Sequence, residues 1–201
     1  MSNQKPNSTV EFTHNRNSKK ATLQFDKKGI SESWYYSRLK KRINFKLREK
    51  KLLKLLEKHR GQHGEYDCIV PGSGGKDSGY AAHVLKFKYG MNPLLVTWPP
   101  ILYTPYGYQN FKNWIDCGKF KNISASRDEN TMRILTKLSI LNLLHPFQTF
   151  ILGQKIFAVK MAIKYKIPLV FYGEHEAEHG SLPLADNYQS LRKKSFFTFK
   201  N

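Results

Sequence analysis

Acidic side chains are scarce. Asp and Glu total 15 against 34 Lys and Arg in 201 residues, a formal charge of +19. A surface so one-sided repels itself unless it meets an anionic partner or spreads the charge over solvent. Cysteine is scarcer still. Cys68 and Cys117 cannot build a disulfide framework, and two thiolates cannot fill a four-thiolate zinc site. No apolar run reaches transmembrane length, so membrane insertion is not expected. Residues 1–20 are polar and lack the apolar centre of a secretory signal. Against these absences, 40% hydrophobic and 13% aromatic residues rule out a wholly disordered chain and suffice for a packed core. The expectation is a basic cytoplasmic protein.

The charge is uneven. Residues 38–60 are thick with Lys and Arg, whereas residues 89–110 carry neither. The chain divides on composition into a basic arm (1–20), a strand, turn and basic helix (21–62), a nucleotide-binding domain (63–190) and a tail (191–201). Residues 37–59 read as one helix, with Leu39, Ile43 and Leu47 in one stripe and Leu52, Leu55 and Leu56 in another, out of phase with the first. Gly61 stands where a C-terminal cap belongs. The leucines need burial whatever the lysines do, so a helix packed by its leucines is favoured over a nucleic-acid helix.

From Tyr66 the grammar changes. Apolar runs at 66–71, 94–98 and 169–172, with a shorter strand at 121–124, alternate with helical patterns at 77–89, 106–117, 129–144 and 154–166. Strands that are mostly continuous apolar runs, separated by helices, predict an α/β fold: a parallel sheet with helices on both faces.

The sharpest local feature is Ser73-Gly74-Gly75-Lys76-Asp77-Ser78, after a buried strand and at the start of a helix. Two glycines let backbone amides approach a ligand, and the helix start adds unpaired N–H donors and partial positive charge. Hydroxyls and the Lys76 ammonium complete a site suited to phosphate. It is not a Walker loop, because Asp77 follows Lys76 and no glycine stands five residues before Gly75. The dinucleotide fingerprint fails too, since its third glycine would fall on Asp77.

These six residues resemble the Ser-Gly-Gly-x-Asp-Ser signature of the ATP pyrophosphatase (PP-loop) family. The resemblance implies an adenine nucleotide alpha hydrolase-like sheet and cleavage of ATP between its α and β phosphates. Further segments narrow it: YDCIVP at 66–71, HVLKFKYGMNPLLVTW at 83–98, LLHPFQ at 143–148, GQK at 153–155 and YGEHEAE at 172–178. Together these resemble the N-acetyl sugar amidotransferases of surface-polysaccharide and flagellin-sugar synthesis, over residues 21–180. That family is understood to adenylate the acetamido group of a nonulosonic or related sugar and convert it to an acetamidino group. Its ammonia comes from a glutaminase and a barrel subunit.

By position, the resemblance implies that Ser73, Gly74, Gly75, Asp77 and Ser78 hold the pyrophosphate end of ATP. Lys76 neutralises charge on the bridging oxygen, and Asp77 contacts magnesium. Thr97 and Trp98 end the second strand, the usual rim for adenosine. Glu174 and Glu176 follow the last strand and are candidates to orient ammonia or bind metal, Glu174 being assigned to catalysis. His175 and His179 are read as structural or exposed, and Lys155, read as starting a helix, as a phosphate contact or a solvated side chain.

The chain departs from the pattern in three places. Relatives carry paired cysteines after the Phe25–Gly29 turn, where this chain has Ser31 and Trp34, so no zinc module is expected there. Position 175 is His rather than Asn. Relatives also run well past the Gly-Glu-x-Glu segment, whereas only residues 181–201 follow here, which predicts a reduced sugar pocket. Two alternatives stand beside the amidotransferase: a tRNA-modifying PP-loop enzyme, suggested by the charge, and a truncated inactive copy.

Overall fold

A computed structural model of the protein describes residues 25–62 and 64–174. The elements run α1 (Glu32–Lys41), α2 (Phe45–His59), β1 (Cys68–Pro71), α3 (Lys76–His83) with a π-helical continuation (Val84–Lys88), β2 (Pro93–Thr97), α4 (Pro105–Gly118), β3 (Lys121–Ser124), α5 (Glu129–Leu143) and α6 (Gln148–Tyr165). The chain forms two compact units. Of the described residues, 25–43 and Ile140–Leu144 make the first, and Asn44–Ser139 with His145–Glu174 the second. The division at Asn44 falls inside the segment 21–62 that composition marks as one module.

In the first unit, Phe25 and Ser31 bridge antiparallel across a turn organised by Asp26. Its Oδ1 accepts the N–H groups of Lys28 and Ile30, at 2.8 and 2.9 Å, and its Oδ2 accepts the Tyr35 hydroxyl at 2.6 Å. The Tyr35 hydrogen bond is the chief reason the Asp26 carboxyl titrates below its ordinary value. Ser31 caps α1 by accepting the Trp34 N–H. A carboxylate and a hydroxyl therefore organise this turn. The start of the strand read at 21–30 lies outside the described residues.

The helix expected over 37–59 is two helices. Asn44 breaks it: its side chain accepts the Leu47 N–H at 3.0 Å and caps a new start. Of the first stripe only Leu39 lies in α1; Ile43 falls in the break, and Leu47 lies in α2 with the whole of the second stripe.

The second unit is an α/β sheet. β1, β2 and β3 pair in parallel in that order, with Ile69 opposite Leu94 and Leu95 opposite Asn122. The strand expected at 169–172 is reduced to a single parallel bridge, Val170 to Ile69, on the other side of β1. It is secured by Ile69 N–H to Leu169 O (2.9 Å) and Phe171 N–H to Ile69 O (2.8 Å). Alternate residues of β1 and β2 serve opposite faces. Cys68, Val70 and Leu95 pack with Leu56, Ala82, Leu85 and Trp114; Ile69, Leu94 and Val96 pack with Ala158, Met161 and Ile167. Helices thus cover both faces, and β1 and β2 are continuous apolar runs for that reason. β3 is an edge strand, half-exposed, and opens on Lys121.

The helix expected over 77–89 changes pitch at Val84, where the Tyr89 N–H reaches back five residues to Val84 O (3.1 Å). α6 begins at Gln148, six residues before the expected start, and ends at Lys166 in a left-handed conformation. Lys155 therefore lies within α6, not at its start. Among the described residues no helix is long and apolar enough to cross a membrane.

Candidate phosphate-binding site

The order of the sheet, with the 169–172 segment beside β1 and β2 on the other flank, makes a topological switch. The carboxyl ends of β1 and of this segment lie side by side there, and such a switch point is where open α/β sheets bind ligands. The loop 72–75 leaves one side of that point, and Gly173 and Glu174 leave the other.

Three of the four glycines at the switch point are sterically obligatory. The Gly72 N–H still bonds Val96 O at 3.1 Å, and a Cβ on Gly72 would lie 2.5 Å from Ser78 Cβ and 2.7 Å from Trp114 Cη2. Gly74 has φ +90°, and its Cβ would sit 2.6 Å from the Cα of Phe111 on α4. At Gly173 a Cβ would meet the backbone of Asp77 and Ser78 at 2.5 Å. The backbone after the fourth segment thus presses on the first turn of α3.

Gly75 is different. It has φ −71° and ψ 158°, and nothing lies within 4 Å of its Cβ position. It is the N-cap of α3 and offers no side chain to the first turn. The first intrahelical bond runs from Gly79 N–H to Gly75 O (3.0 Å), so the amides of residues 76–78 precede the ladder. The open side of the loop is therefore a set of N–H donors at the positive end of a helix, with no side chain over it.

Charged side chains frame these amides. Lys76 Nζ donates to both carboxylate oxygens of Asp77, each at 2.8 Å, on the exposed rim. That hydrogen bond, with the charge of Asp77 behind it and a smaller contribution from Glu174, raises the Lys76 pKa. Lys76 and Asp77 are paired, and the close approach of Gly173 to Asp77 carries Glu174 to the same side of the loop. Ser78 Oγ donates to Gly75 O at 3.2 Å, and Ser73 is exposed on the turn.

Neither a family model nor a curated protein matches the chain. The site is read from its own geometry.

Thr97 is fully buried, and its Oγ1 accepts Asn122 Nδ2 at 2.9 Å. Its hydroxyl ties β2 to β3 and faces no ligand space, so only its backbone belongs to the rim. Trp98 is half-buried, packed on Gly153 of α6 so closely that a Cβ there would overlap the indole. His175, Glu176 and His179 lie outside the described residues. Among the described residues no group of three or more His, Cys, Asp or Glu side chains converges to hold a metal. A magnesium ion here would take Asp77 and draw its other ligands from phosphate and water, the usual habit of that cation.

Two contributors were not read from sequence. Gly173 directly follows the last apolar run, and a glycine in that place is itself the signal of close backbone approach. Arg127, after β3, donates from Nη2 to Pro100 O at 2.8 Å and braces the chain leaving β2; nothing in its local sequence marks it. Cys68 is buried in β1, and burial pushes its thiol up to about 12, so it carries no thiolate for sulfur chemistry.

Proposed function

We propose that the protein is an ATP-dependent, AMP-forming amidotransferase of the PP-loop type, acting on the N-acetyl group of a surface-polysaccharide or flagellin sugar. The observation that carries the reading is the uncapped start of α3 behind Gly75, framed by Lys76 and Asp77 and crossed by Gly173 and Glu174 at the switch of the sheet. The motif resemblance supplies the chemistry; the geometry supports the placement of phosphate.

The amides of residues 76–78 and the positive end of α3 bind the pyrophosphate portion and hold it as charge develops. ATP, when bound, supplies an AMP leaving group on an amide oxygen that would otherwise not depart. Lys76 moves from Asp77 toward phosphate, and Asp77, released, is free for magnesium. Glu174, exposed at the rim and carried beside α3 by Gly173, orients the incoming ammonia. Ammonia would come from a glutaminase and a barrel subunit, in the cytoplasm where ATP is supplied.

The test is pyrophosphate and AMP release by the intact chain with ATP, ammonium and a panel of acetamido sugars, both free nonulosonates and sugar nucleotides. Release dependent on one sugar and on ammonium supports the proposal. Nucleotide binding without release under every sugar refutes the enzymatic reading and leaves a binding protein.

A further inference from the structure

The two acidic side chains of α2 are both engaged within the unit. Glu49 accepts Lys88 Nζ at 2.6 Å and the Tyr89 hydroxyl at 2.9 Å, and Glu57 accepts Arg60 Nη2 at 2.8 Å. The basic side chains are not so used. Lys46, Lys50, Lys54 and Lys58 recur every fourth residue and are all exposed, with Lys51 beside them. None of the five forms an ion pair among the described residues. Each step of four residues rises about 6 Å and turns about 40° beyond a full turn, so the ladder runs about 18 Å along the helix while winding about 120° around it. Like charges at this spacing destabilise an isolated helix, and the acidic neighbours three residues after Lys46 and Lys54, Glu49 and Glu57, are bonded to Lys88, Tyr89 and Arg60 instead. An outside polyanion would relieve them.

The geometry points to the Lys46–Lys50–Lys54–Lys58 ladder of α2 as a docking surface for the phosphate backbone of a nucleic acid. The ladder spans about five phosphates of one duplex strand at the rise of 3.4 Å per nucleotide. A lipid surface fits less well. Insertion into a bilayer needs a free apolar face, and α2 has spent its own: Leu56 is fully buried in the core and Leu52 packs against it. Of the remaining exposed leucines, Leu47 and Leu55 lie about 80° apart and two turns from each other, and Leu53 lies at least about 120° from either, so they make no continuous apolar face. Lysines without a base-reading partner bind by charge and carry no sequence preference. This surface is independent of the site at α3, and its test does not use ATP.

The experiment titrates a fluorescent 20-nucleotide oligouridylate with the full chain across a salt series. For single strands the slope of log affinity against log salt changes by about 0.7 for each phosphate contact. Lys50→Gln with Lys54→Gln should flatten the slope by about 1.4 and weaken binding at low salt. Lys50→Arg with Lys54→Arg keeps the charge and should restore both. Lys137→Gln with Lys160→Gln, two exposed lysines elsewhere and the same loss of net charge, should leave the slope near wild type. Equal flattening by both Gln pairs would show bulk charge rather than a surface, and overturn the inference. So would no oligouridylate binding by wild type at low salt. Binding to phosphatidylserine vesicles that the α2 pair abolishes, with oligouridylate binding untouched, would assign the ladder to membranes and refute it.

Discussion

Replacing Gly75 with serine separates the two roles of the α3 start, folding and ligand binding. The position already has the extended N-cap backbone, φ −71° and ψ 158°, and open space around its Cβ site, so serine enters without displacing a neighbour. Its hydroxyl would accept an N–H of the first turn that no side chain now caps. The gain over glycine is a few tenths of a kcal/mol, read as a small rise in the urea midpoint with unchanged m-value. The same hydroxyl would compete for the amides assigned to phosphate. A hydrogen bond to a charged acceptor contributes about 1.5–3 kcal/mol, so its loss weakens ATP binding roughly 10- to 100-fold. Calorimetric titration with ATP and urea unfolding on one preparation measure both. A variant that is stabilised and binds ATP as tightly as wild type would place the phosphates somewhere other than this turn.

Other perturbations probe the frame. Gly173→Ala drives a Cβ into the backbone of Asp77 and Ser78, where contacts of 2.5 Å cannot be absorbed by a side chain; overpacking should destabilise by about 1–3 kcal/mol in urea unfolding, with pyrophosphate release falling further than stability explains. Lys76→Ala removes an exposed pair, so unfolding should be unchanged while pyrophosphate release is lost; retained turnover would dismiss Lys76. Leu56→Ala empties a fully buried position between α2 and the sheet and should lower stability by about 2–5 kcal/mol. Burial holds the proton on Cys68 up to about 12 in the folded chain, against an ordinary thiol value of 9.0 when unfolded. Its contribution is fully present below pH 9 and declines above it, by at most about 1.4 kcal/mol per pH unit. The decline in urea stability between pH 8 and 10.5 should be shallower in Cys68→Ala.

Sequence made the local parts of this site legible and hid the contacts between them. β3 ran over the residues expected, and the loop opened α3 as expected, because strand, glycines and helix start are signalled within a dozen residues. The break at Asn44 is not signalled by the leucine stripes, whose phase slip falls between Leu47 and Leu52 inside α2; a capping asparagine inside a basic run reads as helix until its side chain is seen to accept Leu47 N–H. The start of α6 escapes the local pattern because Thr149 carries weak helix preference and the N-cap, Phe147, offers no capping side chain, while burial of Gln148 is a tertiary effect. Thr97 was placed at the strand end correctly, but nothing in the run PLLVT shows that Asn122 claims its hydroxyl. Gly173 meets Asp77 and Gly74 meets Phe111 across long sequence separations, and no local pattern encodes such pairs.

The wide turn at Val84–Lys88 ties chain length in that segment to the shape of the phosphate loop. It carries Lys86 to where its ammonium donates to Gly118 O and Lys119 O, at 2.7 and 2.9 Å, clamping the far end of α4. α4 is the wall that Gly74 leans on through Phe111. Deleting one residue here would tighten the coil to ordinary α pitch, rotate Lys86 by about 100° off those carbonyls, and slacken the wall from its opposite end. A stretch that touches no ligand is thereby intolerant of a change in residue count, while tolerant of many changes in residue type.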